Sequence, residues 1–132
     1  MARQLSKLQK LAWLFAGLFL FVYSLDYVPG IMYDNGKMFG LFSMTPIVDF
    51  GHLALGALAA LSAMISAKAA RVYFWALGVW YGLDVIVFVI THFSTMSPLV
   101  NAAVNMPHFV TSIAAFWIAT HVELPDASPV AA

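Results

Sequence analysis

The chain has 132 residues, a length that suits one domain, and 63% of them are apolar while only 9% are charged. Soluble domains average roughly 45–50% apolar and about 25% charged, and a small domain leaves too much of its chain exposed to hide such an excess, so the composition describes a membrane protein. Six basic residues balanced by six acidic ones remove any electrostatic case for nucleic acid, and the absence of cysteine excludes a disulfide scaffold, a thiolate metal site and a cysteine nucleophile.

Crossing about 30 Å of hydrocarbon takes about 20 apolar residues in a helix. Four runs meet that length: 11–28, 47–67, 72–93 and 99–122. They predict an all-α fold, an integral membrane four-helix up-down bundle forming a single domain over residues 1–122, with a short frayed cytoplasmic tail over 123–132. The first run follows Arg3, Lys7 and Lys10 as a signal peptide would. It lacks a small-residue cleavage site and ends in the bulky Tyr23-Ser24-Leu25-Asp26-Tyr27, so it reads as a retained helix. Pro29-Gly30 is expected to break it, and Asp34-Asn35-Gly36 marks a turn in the longest loop. Thr45-Pro46 and Ser97-Pro98 each pair an N-cap with proline at the first helical position and open helices 2 and 4. Lys68 and Arg71 are expected in a loop between helices 2 and 3. With Arg3, Lys7 and Lys10 they leave only Lys37 on the opposite side, which predicts cytoplasmic termini.

The two halves of the sequence echo each other. Tyr23-Ser24-Leu25-Asp26 returns as Tyr81-Gly82-Leu83-Asp84, and Asp49-Phe50-Gly51-His52 as Asn105-Met106-Pro107-His108, at offsets of 58 (23 to 81) and 56 (49 to 105). Two related helical hairpins would form a parallel repeat, setting Asp26 opposite Asp84 and His52 opposite His108.

Ionisable side chains in hydrocarbon cost about 2.5–3.5 kcal/mol on insertion scales, so they face the bundle interior and find partners. On helix 4, Asn101, Asn105, His108 and Ser112 share one face; on helix 2, Asp49, His52, Gly56, Ala60 and Ala63 do. The small residues of the second stripe, and Gly78 with Gly82 on helix 3, are suited to close helix contact. At about 1.5 Å per residue, His52 lies about 8 Å below the outer end of its helix, Asp84 about 12 Å, Asn105 about 10 Å and His108 about 15 Å. Asp26 and Asp49 sit near the boundary. The intramembrane polar groups therefore gather in the outer half, as one site that opens outward and not as a path across the membrane.

The order of these motifs resembles a bacterial four-helix membrane family, domain of unknown function 4383. Val28-Pro29-Gly30 follows helix 1, Gly40-x-Phe42 precedes helix 2, and His52-x-x-x-Gly56 lies within it. A tyrosine-bearing third helix and Asn105-x-x-His108 in the fourth complete the pattern, from about Leu8 to Ala119. Asp49 stands where the family usually has asparagine, and Pro107 lies inside the helix-4 motif. The resemblance implies the fold and a membrane location, and brings no assigned activity.

Three uses of the polar cluster follow from its residue types. His52, His108, Asp84 and Asn105 could hold a cofactor such as haem b, since histidines on facing helices ligate haem iron axially; His52, His108, Asp49 and Asp26 could instead ligate a divalent metal. A quinone or other apolar ligand could lie in an aromatic pocket of Trp75, Trp80, Tyr81, Phe88 and Trp117, its polar end fixed by His–Asp hydrogen bonds. The third and first-ranked use is structural: the polar residues bond helix to helix, and the chain serves as an accessory subunit of a membrane assembly, its partners being lipids with other membrane subunits or further copies of itself. The inner membrane of a bacterium is the expected location. No phosphate loop, serine elbow or His-Glu-x-x-His pair marks an enzyme.

Overall fold

The computed structural model describes residues 4–125. Arg3 and the tail expected from 126 onward lie outside the described residues. Four helices follow in order: α1 (Lys7–Leu25), α2 (Pro46–Ile65), α3 (Ala67–His92) and α4 (Pro98–His121), each long and apolar enough to cross a membrane. Two short strands, β1 (Lys37–Met38) and β2 (Phe42–Ser43), pair antiparallel in the α1–α2 connection. Gly40 turns that hairpin at φ +71, where a Cβ would also stand 3.0 Å from the Tyr33 ring. The α1–α2 and α3–α4 connections mark one end of the bundle, the loop end. The start of α1, the α2–α3 junction and the end of α4 mark the other, the terminal end.

Local chemistry sets most helix boundaries. Ser6 and Gln9 form a reciprocal capping box at the start of α1. Thr45 and Ser97 accept from the backbone N–H of Val48 and Val100 and are each followed by proline, as expected for α2 and α4. Two expectations are corrected. The predicted loop holding Lys68 and Arg71 is a single extended residue, Ser66, whose hydroxyl caps α3 through Ala69 N–H; both basic residues lie in the first turns of α3. Helix 1 starts at Lys7 and stops at Leu25, ahead of the Pro29-Gly30 break, with Asp26 as C-cap. Pro107 is accommodated inside an unbroken α4.

Packing follows the two hairpins. α1 lies mainly on α2 and α3 mainly on α4, and the hairpins meet through α3 against α2 and α1. The offsets found in the sequence recur in burial. Ala12 and Ala70, Ala16 and Phe74, and Phe19 and Leu77 are buried at offset 58, and Ala59 and Ala115, Ala63 and Ala119, and Asp49 and Asn105 at offset 56. Each hairpin closes on a glycine. A Cβ on Gly56 would lie 3.3 Å from the Ala16 carbonyl and the Phe19 Cβ, and one on Gly78 would strike the Phe116 ring at 2.9 Å. Outside these seams the bundle presents large apolar side chains on every helix, among them Leu14, Ile65, Ile90 and Val110. Water would penalise that surface and lipid does not.

Gly56→Leu is therefore expected to push α1 from α2 and to lower stability by about 1–3 kcal/mol. Gly17→Leu, with nothing within 4 Å of the added Cβ, leaves it unchanged. Thermal unfolding of the two variants in mild detergent checks the difference.

Candidate functional site

The helix stripes expected to carry the site do face inward. On α4, Asn101, Asn105 and Ser112 are buried and His108 lies between them; on α2, Asp49 and Gly56 are buried on either side of the half-buried His52. From Phe19 and Leu77 toward the terminal end the shared core is apolar or small apart from Gln9, and above that level it turns polar. α1 has 19 residues and α3 has 26, or about 28 and 39 Å of helix at 1.5 Å per residue. The last turns of α3 therefore stand above α1. Asp84, level with the end of α1, and His108 keep 47% and 33% of their side chains accessible.

Asp84 and His108 are joined directly, His108 Nδ1 lying 2.7 Å from Asp84 Oδ2. A carboxylate at Nδ1 assigns the proton of the neutral ring to that nitrogen and leaves the Nε2 lone pair free, the arrangement that orients histidine as a ligand or base. Tyr81 packs on the His108 ring at 4.4 Å between centroids, stacks on Phe19 at 6.1 Å, and Phe19 reaches the His52 ring at 6.2 Å. A continuous run of rings thus joins the two histidines, one from each hairpin. His52 Nδ1 is buried and has no hydrogen-bond partner.

The other expected residues divide between the two hairpins. Asn105 donates to the backbone and side-chain oxygens of Asn101, one turn back on α4. Asp26 and Asp49 come together where α1 ends and α2 begins, and each keeps one buried carboxylate oxygen without a partner. Loss of hydration, and then the Asp49 charge, raise Asp26 above the ordinary carboxylate range. The repeat is thus chemically unequal: Asp84 pairs with the histidine of its hairpin, and its counterpart Asp26 with a second carboxylate. His52, His108, Asp49 and Asp26 do not gather as one ligand set, since no group of three or more His, Asp or Glu side chains among the described residues lies close enough to hold a metal ion. The aromatic pocket expected for a quinone is not assembled either: Tyr81 is buried, whereas Trp75, Trp80 and Trp117 turn outward.

Several participants were missed from sequence. The Tyr27 hydroxyl lies 3.0 Å from that of Tyr23 and donates to Asp49 Oδ2 at 3.4 Å. Its bond to Tyr23, with loss of hydration and the adjacent charges, holds it up at about 12, so it remains a donor. Gln9 donates to the Ala63 carbonyl at 2.7 Å and Tyr73 to that of Leu55 at 3.2 Å. The Ser6-x-x-Gln9 spacing was the only sign of the first. Ser112 donates to the Gly78 carbonyl at 2.8 Å, possible because the glycine lets α4 approach.

A double-mutant cycle of Asp84→Ala and His108→Ala is expected to give a coupling of about 0.6 to 1.7 kcal/mol in unfolding measurements, the range of intramembrane side-chain bonds. Asp26 gives a second expectation. Its folded-state affinity for a proton exceeds that of the unfolded chain, so its contribution favours folding at acid pH and is lost as pH rises through the raised folded value. The unfolding midpoint should fall over that window in the parent and stay flatter in Asp26→Asn.

Comparison with curated proteins and with solved structures finds no match. A family profile, described as a domain of unknown function, matches residues 9–121. Four membrane-spanning-type helices, two hairpins and the inward His52 and Asn105-x-x-His108 motifs fall within that span, and the chain belongs to the DUF4383 family.

Proposed function

We propose that this chain is a small structural or accessory subunit of a membrane assembly, seated in the bacterial inner membrane with both termini in the cytoplasm. One observation carries the reading: side-chain hydrogen bonds that cross between helices tie all four helices into one bundle. Gln9 ties α1 to α2, Tyr73 ties α3 to α2, and Ser112 and His108 tie α4 to α3. Such bonds fix which faces meet and leave the apolar exterior for lipid and neighbouring subunits. The orientation rests on charge. Among the described residues Lys7, Lys10, Lys68 and Arg71 lie at the terminal end against Glu123, and Asp26, Asp34, Asp49 and Asp84 at the loop end against Lys37, the bias that keeps basic ends in the cytoplasm.

A second reading, a ligand-carrying protein, draws on a separate observation. His52 Nδ1, Asp26 Oδ1 and Asp49 Oδ1 are buried without partners, beside an accessible His108 whose Nε2 is free to ligate or accept. Unpaired buried polar atoms each cost about 1–3 kcal/mol, a cost that a bound ligand such as haem at the loop end would offset.

Both readings meet in one preparation. The accessory reading predicts that the protein isolated in mild detergent from its own membranes brings a stoichiometric protein partner and shows no visible absorption band or metal, with His52→Ala, His108→Ala equally well folded. A Soret band or near-stoichiometric metal lost in the double variant overturns it in favour of the ligand reading.

A further inference from the structure

At the terminal end, where α1 begins, α2 turns into α3 and α4 finishes, a recess of about 650 Å³ opens, lined chiefly by Gln4, Leu5, Ser6, Ser66, Lys68 and Leu124. That volume falls in the range of small-molecule sites. Its walls are held from behind. Gln9 is fixed between the Ser6 backbone N–H and the Ala63 carbonyl, and the Arg71 guanidinium donates to the Val122 carbonyl, anchoring the chain that leads to the Leu124 side. Its charge is one-sided. Lys68 borders the recess, and Lys7 and Lys10 stand exposed on the first turn of α1. Among the described residues none of these lysines has a carboxylate within salt-bridge distance, and Glu123 is the one acidic residue described at this end. The hydroxyl and amide groups of Gln4, Ser6 and Ser66 line the recess together with leucine and alanine side chains, where the helices begin and end. Basic recesses between membrane helices at such ends are sites for phosphorylated lipid headgroups.

We propose that this recess seats the phosphodiester of an anionic phospholipid, with Lys68 as its principal countercharge and the Leu5 and Leu124 side against the start of an acyl chain. The polar cluster at the loop end takes no part, so the site stands whichever reading of that cluster holds.

The test uses the full chain in mild detergent, its unfolding midpoint followed during titration with phosphatidylglycerol, with phosphatidylcholine of the same acyl chains, and with inorganic phosphate. Phosphatidylglycerol is expected to raise the midpoint, and the other two to leave it in place. Lys68→Gln should weaken the apparent affinity about fivefold, the effect of one surface lysine on an anionic headgroup. Lys68→Arg should retain it and Lys37→Gln, at the opposite end, should leave it unchanged. Equal shifts with phosphatidylcholine, or a Lys68→Gln response like the parent's, overturn the proposal. A full response to inorganic phosphate overturns its lipid part and assigns the recess to free phosphate.

Discussion

Hydrocarbon supplies no hydrogen bonds, so a polar group inside it must be satisfied by the protein or reach the water at either end. The bundle is arranged around that constraint. Backbone groups are satisfied within the four helices, and side-chain polarity in the core is passed to a neighbouring helix, as from Gln9 to Ala63, Tyr73 to Leu55 and Ser112 to Gly78, or back to its own, as from Ser62 to Ala59 and Asn105 to Asn101. The ionisable groups of the core face collect at the loop end. Because lipid is as apolar as leucine, burial of leucine does not hold these helices together as it would in water. Close contact does, and it is set by Gly56, Gly78 and the alanines of the two hairpin seams.

The hairpins share this plan and differ in what their polar residues do. Buried positions recur at the sequence offsets through the apolar half, so the same surfaces close both pairs. At the loop end the equivalence fails. Asp84 meets His108, whereas Asp26 meets Asp49 and leaves His52 without a bond at Nδ1. One hairpin holds a satisfied imidazole–carboxylate pair and the other three unsatisfied atoms. The Asp49 charge adds to the loss of hydration in raising the affinity of Asp26 for a proton.

The four spans were legible because an uninterrupted run of about 20 apolar residues matches the thickness of a bilayer and little else, and Thr45-Pro46 and Ser97-Pro98 marked their helix starts to the residue. The α2–α3 junction was misread because Lys68 and Arg71 look like loop residues. In a membrane helix such side chains stay in the first turns and extend to the headgroups. The inward stripes of α2 and α4 were likewise readable from periodicity. Which polar groups would bond was not: His108 meets Asp84 through the packing of α4 on α3, and Tyr27 meets Asp49 where the chain turns after Leu25. Trp80 and Trp117 were expected around a ligand because aromatic character alone does not say which side of a helix faces lipid.

A polar core face that opens to water at the loop end and is sealed below must differ in its access to reagents along its length. A chain without cysteine permits a direct measurement in native membranes: single cysteines at Asp84, His108, Ser112 and Ala115, reacted with a membrane-impermeant maleimide applied from each side. Labelling of Asp84→Cys and His108→Cys is expected from the loop side, and none at Ser112→Cys or Ala115→Cys from either side. Protection at all four positions, or labelling of Ala115→Cys or of His108→Cys from the terminal side, would contradict it.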